Sequence, residues 1–87
     1  MSPDTAATHH PANTARLVTM ANQIGSFFAH EGAERAPVSI AEHLEQFWTR
    51  KMRTAIIDHL HAGGEWLAAL PRAAVLRLDQ STTAPPH

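Results

Sequence analysis

The sequence has no cysteine among its 87 residues, which excludes disulfides, thiolate nucleophiles, cysteine-ligated zinc and iron–sulfur ligation. Long apolar runs are missing too. No stretch approaches the ~20 residues needed to cross a bilayer and no signal-peptide pattern opens the chain, so the expected address is the cytoplasm, with no membrane partner. Net charge is almost absent, at −1, whereas a general polyanion binder is usually strongly basic. Residues 1–12 (MSPDTAATHHPA) and 79–87 (DQSTTAPPH) are nearly devoid of large apolar side chains. They bury too little to offset chain entropy and read as mobile tails around one helical domain over 13–78. That leaves roughly 65 residues for a core, a size at which isolated domains are marginal and partners are often needed.

What is present is helical periodicity cut by glycine and proline. Leu17, Met20, Ala21, Ile24, Phe27 and Phe28 recur at steps of three and four, one face of an amphipathic helix with Asn13 or Thr14 as its N-cap. Gly25 inside it costs about 1 kcal/mol against alanine and suggests close approach of another backbone. Ser39 followed by Glu42 spells a capping box for a second helix, with Ile40, Ala41, Leu44, Phe47 and Trp48 on its apolar side. Thr49 is a second N-cap, opening a third helix at a changed angle in which Met52, Ala55, Ile56, His59 and Leu60 point inward. The Ala62-Gly63-Gly64 stretch stops it. A last element spans Glu65 to Leu78, with Trp66, Leu67, Leu70, Ala74, Val75 and Leu78 as its apolar set. Pro71 marks a kink or a fresh first turn within it. The fold class is all-α: a small bundle of about four short helices, with no sheet.

Independent catalysis finds little support. Seven histidines invite a metal site, yet ligand pairs on a helix sit at i, i+3 or i, i+4, and His59 and His61 are two apart. His9 and His10 fall in a tail, and the HEGAE stretch from His30 to Glu34 has glutamate where a zinc-protease signature needs its second histidine. Among the serines, Ser39 is a cap, Ser2 and Ser81 are in tails, and Ser26 has no strand-to-helix elbow. Glu42 and Glu45 read as a solvated face, and the glycines of AGGEW lack a phosphate loop's lysine and spacing. No catalytic, cofactor-binding or metal-ligating residue is therefore assigned.

The stretch EQFWTRKMR, Glu45 to Arg53, carries more information. Arg50, Lys51 and Arg53 fall at the start of the third helix, where positive charge opposes the macrodipole. Such cations are either simply solvated or received by an acidic surface, a carboxylate or a phosphate elsewhere, and arginine's planar fork suits carboxylates. Phe27, Phe28, Phe47, Trp48 and Trp66 also give this small bundle more bulky rings than its thin interior can shield. Trp48, Arg50, Lys51, Arg53, Phe28 and Trp66 are accordingly the expected partner-binding residues. The alternative is a small helical nucleic-acid-binding regulator using the third helix for recognition. The near-neutral charge, the apolar Ala55-Ile56-Ile57 run and Asp58 weigh against it.

The chain resembles the delta subunit of NAD-dependent, molybdenum-containing formate dehydrogenases. The likeness lies in MANQIGSFF (Met20 to Phe28), IAEHLEQFW (Ile40 to Trp48), KMR (Lys51 to Arg53) and HLHAGGEWL (His59 to Leu67), with LPRAAVLRL fitting less specifically. It departs from the family pattern at Thr49-Arg50, where a proline commonly follows the Phe-Trp pair, and in the late position of Pro71. The resemblance implies a non-catalytic subunit that binds a large alpha subunit and supports stability or cofactor maturation. It also implies a complex holding bis-molybdopterin guanine dinucleotide, iron–sulfur clusters and FMN on the alpha, beta and gamma subunits, none on this chain. Trp48, Met52, Arg53 and Gly64 are the structural or docking positions it carries over. An adaptor for the molybdenum cofactor itself is a variant of the same reading.

Overall fold

The computed structural model describes residues 11–83. Four α-helices, α1 (Pro11–Phe28), α2 (Ala36–Phe47), α3 (Arg50–His61) and α4 (Ala69–Thr83), are joined by short corners, with a 3₁₀ turn at Ala29–Glu31 after α1. No strand occurs among the described residues, and none of these helices is long and apolar enough to cross a membrane. The all-α bundle expected from the periodicity is the observed fold. Of the mobile tails expected at 1–12 and 79–87, residues 1–10 and 84–87 lie outside the described residues, whereas 11–12 open α1 and 79–83 belong to α4.

The starts of α1, α2 and α4 and the end of α4 differ from the expectation. Asn13 and Thr14 lie inside α1, which begins at Pro11. Helix α2 starts at Ala36, three residues before Ser39, with Arg35 as an N-cap that makes no side-chain bond. Pro37 is the reason: its fixed φ is preset for a first helical turn, and its missing N–H would have no partner there. The Ser39 hydroxyl, no longer at the cap, donates to Glu31 Oε1 at 2.5 Å and ties α2 to the 3₁₀ turn. Thr49 caps α3 as expected, its hydroxyl accepting from the Met52 N–H at 3.2 Å. At the other end the Gly63 N–H bonds the Leu60 carbonyl and the Gly64 N–H bonds that of His59. Both glycines hold positive φ, 125° and 65°, a Schellman-type stop that needs residues without a Cβ.

The last helix begins later than its apolar residues suggest. Glu65 to Ala68 form a loop, and α4 opens at Ala69 with Pro71 in its first turn. Pro71 is thus a fresh start, placed where helix N–H groups lack partners anyway. Its buried ring packs on Gly25 of α1, where an added Cβ would lie 2.7 Å from Pro71 Cδ. The close approach inferred for Gly25 is real, with a proline ring as the neighbour rather than a backbone.

The core is thin. Leu17, Val18 and Ala21 of α1 meet Ile40 and Leu44 of α2, Ile56 and Ile57 of α3, and Ala74, Val75 and Leu78 of α4. Ala21, Ala36 and Ala74 are fully buried, so the helices approach closely where they touch and leave little interior for large rings. No polar or charged side chain is buried among the described residues. Each fully buried leucine or isoleucine contributes about 1.5–3 kcal/mol.

Candidate functional site

One flank of the bundle remains open. Met20, Gln23, Ile24, Phe27 and Phe28 of α1, His43 and Phe47 of α2, Trp48, and Met52 of α3 line a groove of about 610 Å³. On α1, residues 20, 24, 27 and 28 share one face at helical spacing, and on α2 His43 and Phe47 are four apart. The rings form a ladder. Phe27 meets Phe28 edge-on at 5.1 Å between centroids, Phe28 meets His43 at 6.0 Å, and His43 meets Phe47 at 4.7 Å. Phe27 is 71% and Phe47 68% exposed, while Trp48 beneath them is only 5% exposed. The upper ladder is apolar surface facing water, and Trp48 is its floor. A monomeric domain rarely leaves a contiguous patch of this kind uncovered without a use for it.

Two cations follow the groove residue Trp48 in the chain. Arg50 and Lys51, between Trp48 and Met52 in sequence, are exposed in the first turn of α3, which contains no acidic residue. The only ion pair among the described residues joins His61 and Asp79, so neither cation has a carboxylate partner there. Arg53 differs. Its guanidinium donates to the carbonyls of Trp48 (2.5 Å) and Glu45 (3.3 Å), the open carbonyls where α2 ends. Of the three cations, two face solvent and one staples the α2–α3 corner.

Trp66 lies elsewhere. It is 83% exposed and has φ +72° in the loop before α4, a conformation a bulky residue rarely adopts. Asn22 holds the loop from both sides, donating to the Trp66 carbonyl at 2.8 Å and accepting from the Ala68 N–H at 2.9 Å. Arg72 donates to the carbonyls of Gly64 and Gly63 at 2.8 and 3.3 Å. The recess beside Trp66 uses a different face of α1, through Ala15, Val18, Thr19 and Asn22.

Phe28 and Trp48 thus line one groove, Arg50 and Lys51 are exposed just after Trp48 at the start of α3, Arg53 ties the corner, and Trp66 lies apart. The expectation that the rings could not all be shielded holds, with Phe27, Phe47 and Trp66 each more than two-thirds exposed. Trp66, counted in the apolar set of the last helix, belongs instead to the surface. Phe27, Phe47, Met20 and His43 were not singled out in the sequence as site residues, and Met52 entered only as a structural or docking position carried over from the family resemblance. The available signal was the doublets Phe27-Phe28 and Phe47-Trp48: neighbours on a helix point about 100° apart, so both rings of a pair cannot face one core line.

The histidines serve local roles. Nδ1 of His30 donates to the Phe27 carbonyl at 3.1 Å, Nε2 of His59 to that of Glu65 at 2.8 Å, and Nε2 of His61 to Asp79 Oδ2 at 2.7 Å. The Asp79 hydrogen bond, then its charge, raises the His61 pKa above 6.5, with Asp58 adding slightly and desolvation opposing. Among the described residues no group of three or more histidine or acidic side chains is placed to hold a metal ion.

A family model for NADH-dependent formate dehydrogenase delta subunits, FdsD, matches residues 16–75. The chain belongs to that family. The matched span runs from α1 into α4 and contains every groove residue, both cationic neighbours and the Trp66 loop. The resemblance seen in the Met20–Phe28, Ile40–Trp48 and His59–Leu67 segments is borne out. No curated protein and no solved structure matches the chain.

Proposed function

We propose that this delta subunit is a non-catalytic accessory subunit of a cytoplasmic, molybdenum-containing, NAD-dependent formate dehydrogenase, which converts formate and NAD to CO2 and NADH. It seats on the large alpha subunit through the aromatic groove and supports stability of the complex or maturation of its cofactors. Phe28 and the exposed Phe27 and Phe47 form the apolar contact, Arg50 and Lys51 its charged edge, and Trp48 and Arg53 hold that surface in shape. Trp66 is a separate contact point on another face. The single observation that carries this reading is the open aromatic groove on a chain of this family. Exposed rings over a buried floor are what interface hot spots are built from.

The complex's expected groups, bis-molybdopterin guanine dinucleotide, iron–sulfur clusters and FMN, do not fit the residues of this chain. There is no cysteine for a cluster, no glycine-rich loop for a phosphate, and no buried polar side chain among the described residues to orient a pterin or flavin. That donor chemistry supports placing them on the alpha, beta and gamma subunits.

The test is to tag this chain in its host, purify it, and identify its companions by mass spectrometry. Recovery of the alpha subunit in constant ratio is the expected result. A chain that elutes as a stable monomer, with no affinity for any formate dehydrogenase subunit, overturns the reading. Deleting the chain and measuring molybdenum content and thermal stability of the remaining complex then separates maturation from stabilisation.

A further inference from the structure

We infer that the groove receives a partner-protein segment of one particular chemistry: an apolar stretch that carries carboxylates at one end, laid so that its acids meet Arg50 and Lys51. The inference rests on the proposal that another subunit docks here, and it specifies what that subunit must present.

Three features of the surface define the occupant. Its lining is apolar and adaptable, with Met20 and Met52 beside the rings; thioethers on flexible stems repack around inserted side chains. Exposed Phe27 and Phe47 stand along it, so an occupant gains apolar burial from both. The third feature is electrostatic. Arg50 and Lys51 occupy the positive end of the α3 dipole, no acid shares that first turn, and no carboxylate among the described residues pairs with them. Two cations on a helix N-terminus repel the dipole and each other, so carboxylates docked there relieve an unfavourable charge cluster that no carboxylate among the described residues compensates. Both cations fall between the groove residues Trp48 and Met52 in the chain, which sets their backbone next to that of the apolar lining. A nucleic acid would use the charge and leave the apolar ladder uncovered, and the chain as a whole carries −1, against the broad basic surface that phosphate backbones favour.

Lys51 is the sole lysine of the sequence, which makes a direct test possible. Zero-length carbodiimide coupling of the purified complex should join Lys51 Nζ to an aspartate or glutamate of a partner peptide that also contains large apolar residues. The coupled peptide should disappear in Lys51→Gln. In parallel, Arg50→Glu with Lys51→Glu should weaken association about tenfold or more at low salt and less at high salt. Phe27→Ser with Phe47→Ser should weaken it at both salts, with unchanged circular dichroism, since both rings are already exposed. Two results overturn the inference: a complex that forms normally but yields no coupled partner carboxylate while both double variants bind as the parent does, or duplex DNA retained by the parent and released by the charge reversal. Absence of any formate dehydrogenase subunit in the purification strikes the delta-subunit proposal itself, and so is distinguishable from failure of the groove.

Discussion

The α2–α3 and α3–α4 corners are made of the same parts and end in opposite arrangements. At each, an arginine of the following helix reaches back to carbonyls left open at the turn: Arg53 to Glu45 and Trp48, Arg72 to Gly63 and Gly64. Each corner also carries one of the chain's two tryptophans, yet Trp48 is 5% exposed and Trp66 83%. The backbone makes the difference. Trp48 is extended, with φ −93° and ψ 146°, and a single residue later Thr49 caps α3. Trp66 comes two residues after the Gly63-Gly64 pair and is itself left-handed, with φ +72°. Such a conformation costs about 1–3 kcal/mol in a non-glycine residue, and the two Asn22 hydrogen bonds help hold it. Indole size favours burial in both places; the direction in which the corner turns decides which ring achieves it.

The sharpest way to break that comparison is to truncate each ring. Trp48→Ala should cost about 3–5 kcal/mol, the range for a well-packed aromatic removed from a core. Trp66→Ala should stay within about 0.5 kcal/mol of the parent, as surface changes do. Urea unfolding followed by circular dichroism measures both, and equal losses would mean that the two corners are not different in kind. With no tyrosine in the chain, emission offers a second view. Trp66→Phe should leave blue-shifted fluorescence protected from acrylamide, and Trp48→Phe should leave the reverse.

Smaller effects test the packing around the second corner. Gly64 has φ +65° and a Cβ there would lie 2.9 Å from Arg72 Nη1, so Gly64→Ala combines backbone strain with displacement of the arginine. Gly25→Ala sets a Cβ against the Pro71 ring at the start of α4, and a ring cannot swing aside as a flexible side chain can. Each should destabilise by about 1–3 kcal/mol in urea melts. Adding Pro71→Ala should recover part of the Gly25→Ala loss, because the two changes share one contact.

The arginine staples come next. Arg53→Ala and Arg72→Ala each remove two bonds from a charged donor to partly exposed carbonyls, and each should cost about 1–2 kcal/mol. Arg53→Glu should therefore lower the melting temperature of the isolated chain before any partner is present. If it left stability unchanged and weakened only assembly, Arg53 would be a contact, and the likeness between the corners would be superficial.

Much of this was legible in the sequence wherever the cause is local. The 3.6-residue period gave the helices, Thr49 announced the start of α3, and Gly63-Gly64 announced its end, because each acts within one turn of itself. Boundaries set from a distance were not. Ser39 has the form of a cap, but Pro37 starts α2 earlier and Glu31 on the 3₁₀ turn takes the hydroxyl. Helix α4 runs five residues beyond Leu78, to Thr83, where Asp79 reaches His61 on α3, a pairing eighteen residues apart that no short window contains. The site divides in the same way. Phe28, Arg50 and Lys51 could be named from ring surplus and charge. The exposure of Phe27 and Phe47 depends on how α1, α2 and the start of α3 cross, and the inward turn of Trp48 on one residue of extended chain.

The smallest effect distinguishes the corners by pH. His61, in the last turn of α3, donates to Asp79 of α4, whereas no histidine bonds across the α2–α3 corner among the described hydrogen bonds. The folded-state pKa of His61 is raised above its ordinary 6.5 by that bond and by the Asp79 charge. A raised pKa means that the folded state binds the proton more tightly than the unfolded chain does. The pair's contribution is therefore fully present below about pH 6.5 and fades as pH rises through the higher folded value. His61 is exposed to solvent, so the slope should be shallow and further reduced by salt. Melting temperatures across that range should fall slightly for the parent, and His61→Ala should flatten the trend. Arg53→Ala should lower the whole curve without changing its slope. A slope that survived in His61→Ala would place the titrating group elsewhere and leave the second corner without the proton-sensitive tie that sets it apart from the first.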